Sequence, residues 1–227
     1  MSIIEGGGKV ITDGLVLYLD AANSRSYPTT GTSWFNLISN NFNGIINNGA
    51  TYTTNFKGGI TFDGVDDYVD CGVTNISVGT DFTVDVVASL DGFQVLYADI
   101  IDYNHFAGGW VIQQNGFSPN DQFYFAWYNG VSYNFSYFSL PINNTPFNLT
   151  IVKTGSVVKN YINGILSTSG TGSSTITLFG LPMYLGSYVP SGRNMKGNIF
   201  STKIYNRPLT SDEVFKNYLS IKSRFGL

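Results

Sequence analysis

Residues 82–89 alternate in polarity except at Val87, with Phe82, Val84, Val86 and Ala88 on one side of an extended chain and Thr83, Asp85 and Ser89 on the other. A two-residue repeat cannot line one face of a helix, so it predicts a β-strand with one face on a core. Similar short β-type runs fall at 15–20, 60–63, 67–71, 95–101, 109–114, 122–128, 131–138, 147–153, 157–162, 183–187 and 197–205, separated by clusters of Gly, Asn, Ser and Pro. So many short strands with so little helical pattern predict two packed antiparallel sheets. Between 157–162 and 165–168 stands Asn163-Gly164, a pair that readily supplies the positive φ angles of a two-residue hairpin.

One helix is predicted, at about 211–222. Thr210 and Glu213 form a capping box, Asp212 suits the positive N-terminal end, and Lys222 and Arg224 suit the C-terminal end. Val214, Phe215, Tyr218, Leu219 and Lys222 recur at helical spacing and predict the stripe that lies on the sandwich. Residues 1–12 show no periodicity and contain Gly6-Gly7-Gly8, so they are expected to form a flexible arm ahead of one domain at 13–227. Ile3, Ile4, Val10 and Ile11 would let that arm attach to a partner or add a strand to a neighbouring sheet edge. The alternative is that residues 9–13 begin the domain's own first strand.

Composition excludes several function classes. A compact chain of 227 residues buries roughly 70% of its unfolded surface, enough to fold without disulfides or metal. Cys71 is the single cysteine, which excludes an intramolecular disulfide and a thiolate metal cluster. Charged residues make up 12% of the chain, the net charge is −3 and the basic residues are scattered, so nucleic acid is not an expected partner. No run approaches the roughly 20 apolar residues of a membrane helix. The first residues do not read as a signal peptide, so folding in the cytoplasm and no membrane partner are expected. With His105 as the one histidine and no Gly-x-Ser-x-Gly elbow, no catalytic residues are assigned.

The last third carries a more particular order. The hairpin around Asn163-Gly164 is followed by Met183-Tyr184-Leu185-Gly186, then by Lys203-Ile204-Tyr205-Asn206-Arg207-Pro208-Leu209-Thr210-Ser211-Asp212-Glu213-Val214. Together with Gly14-Leu15-Val16-Leu17-Tyr18-Leu19-Asp20 and Phe62-Asp63-Gly64-Val65-Asp66-Asp67-Tyr68-Val69, this order resembles laminin-G-like, concanavalin A-like domains over roughly residues 14–219. The resemblance implies an all-β, two-sheet antiparallel jelly-roll sandwich with one short C-terminal helix. Segments 11–28 and 222–227 are similar to laminin-G-like proteins encoded by tailed phages. That likeness implies a non-enzymatic virion surface protein, a head decoration or fibre-associated module made in the host cytoplasm and assembled with capsid or tail proteins. Sister copies and polysaccharide are further expected partners. A lectin module recognising host polysaccharide is the alternative, and a glycoside hydrolase is a third reading.

Glucanases of this fold use two carboxylates, commonly glutamates on one strand. Here the glutamates are only Glu5, in the arm, and Glu213, in the helix cap. Aromatic residues concentrate in 123–138, where Phe123, Phe125, Trp127, Tyr133, Phe135 and Tyr137 alternate with smaller or polar residues. That alternation places the rings on one face, either as core or as a platform for sugar or partner surfaces. Trp127, Tyr133 and Tyr137, with His105, are the candidate contact residues. No cofactor is expected apart from calcium, whose ligands would be oxygens of Asp63, Asp66 and Asp67 with Asn36 and Asn43. Asn36 stands where the resembled segment usually has Asp, which removes a charge from such a site. The alternative is that the aspartates hydrogen-bond the backbone of their own turn.

Overall fold

The computed structural model describes residues 9–73, 80–92, 94, 96–103, 108–116, 121–177, 182–188 and 192–227. Its strands are β1 (Leu15–Asp20), β2 (Ser33–Trp34), β3 (Gly44–Asn47), β4 (Thr51–Thr53), β5 (Gly59–Asp63), β6 (Tyr68–Val73), β7 (Phe82–Leu90) and β8 (Asp99–Tyr103). They continue with β9 (Trp110–Gln114), β10 (Gln122–Tyr128), β11 (Tyr133–Ser139), β12 (Phe147–Thr154), β13 (Val157–Ile162), β14 (Ile165–Thr171), β15 (Pro182–Leu185) and β16 (Lys196–Tyr205). Helix α1 spans Ser211–Phe225. The strands form two antiparallel sheets. The first runs β14-β13-β12-β7-β16-β5-β4, with β1 also on β16, and the second runs β11-β10-β9-β8-β15-β6-β3-β2. This is the two-sheet sandwich with a C-terminal helix that the sequence predicts.

Between the sheets lies the main core. Trp34, Phe62, Phe82, Trp110, Phe125, Trp127 and Phe147 are fully buried there. Phe82 stacks on Trp110 at 5.7 Å between centroids and Phe125 on Trp127 at 5.6 Å, so aromatic rings pack against one another across this core. Such rings each stabilise the fold by roughly 1.5–3 kcal/mol through burial alone. Asn163 and Gly164 take φ of 51° and 75° at the β13–β14 turn, with Ile162 facing Ile165.

Over β7 and β16 the outer face of the first sheet is also buried. Every residue of β7 is buried, including those the alternation assigns to solvent. The reason is α1, which packs Val214, Ile221 and Phe225 on this face beside Leu209, Tyr205 and Phe200. Beneath lies an ion pair, Lys203 Nζ to Asp85 Oδ1 at 2.8 Å, with both side chains at most 1% exposed. Thr150 and Asn148 donate to the other carboxylate oxygen at 2.7 and 3.1 Å, so Asp85 ties β7, β12 and β16 together. Burial by itself would pull the Lys203 pKa down, but the adjacent Asp85, with Tyr18 and Tyr205, holds it above the ordinary lysine value.

Thr210 caps α1 as predicted, accepting from the Glu213 N–H while Glu213 accepts from the Thr210 N–H. The helix continues to Phe225 and stops at Gly226, whose φ of 68° is left-handed. Its inward stripe differs from the predicted one. Val214, Asn217, Ile221 and Phe225 face the sheet, whereas Phe215 and Leu219 are exposed, because Asn217 turns inward to bond the Tyr205 hydroxyl at 2.9 Å.

At the other end of the chain, Val10 and Ile11 pack on the same helix–sheet cluster. The Ile11 N–H donates to Asn217 Oδ1 at 2.9 Å, and the Tyr205 hydroxyl donates to the Ile11 carbonyl at 3.1 Å. These two residues of the expected arm are therefore docked on their own domain. Ile3 and Ile4 lie outside the described residues.

Candidate functional site

On the outer side of the second sheet β8 and β9 are fully buried, and the side chains open to a ligand lie towards β10 and β11. Register decides what this side displays. Phe125 pairs with Ser136 and Ala126 with Phe135, so the ring-bearing positions of β10 and β11 fall on opposite faces. Phe123, Phe125 and Trp127 point into the core, whereas Tyr133, Phe135 and Tyr137 point outward beside Tyr124, Ala126 and Tyr128. The single shared face expected from the sequence is corrected accordingly: the pattern within each strand is right, but neighbouring strands are offset by one residue. Phe135 and Tyr137 are 42% and 47% exposed, and their rings stack at 6.0 Å. Tyr124 meets Phe135 edge-on at 5.3 Å, and Tyr128 meets Tyr133 at 5.0 Å.

This aromatic file borders a groove of about 230 Å³ lined by Tyr97, Val111, Gln113, Tyr124, Ala126, Tyr133, Phe135 and Arg193. Its floor is polar and ordered. The Tyr124 hydroxyl donates to Gln113 Oε1, and Gln113 Nε2 donates to Asp99 Oδ1. Asp99 is fully buried, and its Oδ2 has no hydrogen-bond partner among the described residues. Burial, then the neighbouring Asp102 carboxylate, pushes its pKa well above the carboxylate range. Tyr124 is raised as well, first by burial and then by Asp99. The Arg193 guanidinium lies 5.0 Å over the Tyr97 ring. Flat rings flanking amide, phenol and guanidinium groups suit a ligand that combines apolar faces with hydroxyls.

Asp99, Gln113, Tyr124 and Arg193 were not singled out as contact residues from the sequence. The readable signal was the polar pair Gln113-Gln114 ending an apolar strand, and two aspartates in the buried strand β8. Tyr133 and Tyr137 do lie on the face. Trp127 does not: it is fully buried, its indole N–H donates to the Ser173 carbonyl at 3.0 Å, and it is withdrawn as a contact residue. His105 lies outside the described residues.

Asp63, Asp66 and Asp67 converge, with one carboxylate oxygen of each within 4.8 Å of the others. Asp67 Oδ2 accepts from the Asp63 N–H at 2.9 Å, and Asp63 Oδ1 from the Val65 N–H at 2.7 Å, so the turn also uses them itself. Burial, followed by repulsion from Asp63 and Asp66, raises the Asp67 pKa to about 6. Hard oxygens at this spacing fit calcium in type. Asn36 and Asn43 do not join them. Asn36 Oδ1 accepts from the Tyr18 and Ile38 N–H groups, its amide donates to the Asn41 and Val16 carbonyls, and Asn43 Oδ1 accepts from the Asn36 N–H. The β3–β6 register, Ile45 on Asp70 and Asn47 on Tyr68, puts Asn43 at the opposite end of that pair from the aspartates.

Glu213 is bound to Arg207 through both carboxylate oxygens, at 2.9 and 2.7 Å, which with the cap holds its pKa down to about 2. It is therefore a fixed anion within the cap.

Known proteins share this architecture. The family model described as the concanavalin A-like lectin/glucanases superfamily, laminin-G type, matches residues 63–215. No curated protein matches the sequence. Among solved structures, the binding domain of Paraclostridial mosquitocidal protein 1 superposes with a TM-score of 0.72 at 17% identity, covering 90% of this chain and 52% of that one. The botulinum neurotoxin type G receptor binding domain gives 0.67 at 14%, covering 91% and 51%. This chain thus spans about half the length of those toxin domains. Domain 4 of AbnA, an extracellular arabinanase from Geobacillus stearothermophilus solved with arabinotriose, gives 0.66 at 16%, covering 90% and 98%. At these identities the likeness is one of fold.

Proposed function

Because the chain belongs to the concanavalin A-like lectin/glucanases superfamily, we propose that it is a non-enzymatic binding module that takes carbohydrate on the outer face of its second sheet. The observation that carries this reading is the file of half-buried Tyr133 and exposed Phe135 and Tyr137 beside a groove lined by Gln113, Tyr124 and Arg193. Sugar rings offer C–H faces to aromatic planes and hydroxyls to the Arg193 guanidinium, so both halves of the surface have a use. The complex of the arabinanase domain with arabinotriose, and the receptor-binding role named for the toxin domains, support a binding role for this scaffold. Fold alone does not assign it. The two glutamates, one in the arm and one locked to Arg207, support the non-enzymatic part. A glycan array probed with the wild type and with Tyr133→Ala/Phe135→Ala tests the reading. Binding that the double variant loses is expected, and equal signals from the two proteins would remove this face from consideration.

A second, compatible reading places the module on the surface of a tailed-phage virion, as a head decoration or fibre-associated protein contacting other virion subunits. The likeness of segments 11–28 and 222–227 to phage-encoded laminin-G-like proteins supports it. Mass spectrometry of purified virions is the test, and absence of the protein from intact particles would end this reading while leaving the binding face untouched.

A further inference from the structure

The described residues begin at Lys9, and the side chains that follow it are already docked. Val10 and Ile11 pack on an apolar cluster that includes Val152, Tyr161 and Leu209. Those three residues also line a groove of about 290 Å³ beside the start of α1, together with Val157, Lys159 and Ser211. The hydroxyls of Tyr161 and Ser211 bond at 3.0 Å, which fixes the phenol against the helix. The groove thus extends the apolar surface that holds Val10 and Ile11.

Its chemistry specifies an occupant. Val152, Tyr161 and Leu209 are buried and Val157 is half-buried, so the walls suit branched apolar side chains. Lys159 is exposed and forms no ion pair among the described residues. The adjoining N-terminal end of α1 favours an anion as well. An apolar pair followed by a carboxylate fits both halves, and Ile3-Ile4-Glu5 has that order, Glu5 being the one acidic residue before Asp13.

Reach permits it. Ile11 is held by Asn217, which lies six helical residues from Ser211, or about 9 Å along the axis. From Ile11 back to Ile4 the extended chain spans up to about 24 Å. Gly6-Gly7-Gly8 accept the backbone angles of any turn on the way. A segment tethered by so short a link meets the groove at an effective concentration in the millimolar range, which favours it over a separate molecule, a sister copy included.

We propose that this groove is the seat of the chain's own N-terminal segment, with Ile3 and Ile4 against Val152, Val157 and Leu209 and Glu5 towards Lys159. Residues 3–11 then form a strap across the start of α1, and the two isoleucines are withheld from neighbouring sheet edges.

Disulfide trapping in the full chain tests this. Cys71 is buried and does not compete. Ile4→Cys is combined with Val157→Cys in the groove or, as a control, with Lys216→Cys, an exposed position adjacent to Asn217 and therefore close to the anchored Ile11. Seating the segment holds the first pair of thiols together, so that pair is expected to close within one chain at least about tenfold faster than the control under the same oxidant. Equal rates for the two pairs would show a segment that samples both positions alike and would overturn the proposal. A link between two chains, read as a dimer on a non-reducing gel, would overturn it too, by assigning the groove to the segment of a sister copy.

Discussion

The Lys203–Asp85 pair gives the most demanding test of how α1 and the first sheet hold together. Replacing Asp85 with Asn keeps the shape and a hydrogen-bond acceptor but leaves a buried ammonium, 0% exposed, without its counter-charge. Removing one partner of a buried pair typically destabilises by about 3–5 kcal/mol, which for a domain of this size lowers the melting temperature by roughly 6–20 °C. The amide must also serve Lys203, Thr150 and Asn148 with one oxygen where the carboxylate used two. Restoring neutrality with Asp85→Asn/Lys203→Met should recover most of the loss, because an apolar side chain of similar length needs no partner. Thermal unfolding by circular dichroism at pH 7, with urea midpoints as a second measure, reads both variants. A single variant that melts within about 2 °C of the wild type would show the pair to be energetically neutral. A double variant no better than the single would show that packing, not charge, is at stake.

Four further outcomes are expected. Trp127→Ala should cost about 3–5 kcal/mol in urea unfolding, because it empties a core position, whereas Phe135→Ser on the exposed face should stay within about 0.5 kcal/mol. Asp67, with its folded pKa raised to about 6, stabilises the fold below the ordinary carboxylate pKa, and that contribution is lost as pH rises through 6. Urea midpoints at pH 4 and pH 7 should therefore show Asp67→Asn more stable than wild type only at the higher pH. We also propose that the acidic turn takes calcium, so calorimetry on chelator-treated protein should record heat for the wild type and none for Asp67→Asn. Thr210→Ala removes the cap of α1 and should cost about 1 kcal/mol by thermal melting; no change would mean that the Arg207–Glu213 clasp alone fixes the helix start.

Patterns that repeat within one element were legible in the sequence. The two-residue repeat in β7, the Asn163-Gly164 turn and the Thr210 cap are each decided by residues a few positions apart, and each is found where expected. What depended on a partner was harder to read. β7 is buried on both faces because a helix that begins over a hundred residues later covers it. Phe135 and Phe125 look equivalent in sequence, yet a pairing register places one in solvent and the other in the core. The groove floor was least legible of all. Asp99, Gln113, Tyr124 and Arg193 come from three strands and a loop, and no short-range rule links a buried aspartate to a glutamine fourteen residues on.

The alternation in β10 and β11 carries an evolutionary consequence. Outward side chains sit at 124, 126 and 128 on one strand and at 133, 135 and 137 on the other, while the positions between them build the interior or the strand edge. Ligand preference and foldability are thus written on interleaved positions of the same two segments. Mutations can drift across one set without touching the other, so relatives that recognise different ligands should diverge at these six sites first. A combinatorial library confined to 128, 133, 135 and 137, leaving the buried Tyr124 and Ala126 fixed, would sample new specificities while every member kept the same interior.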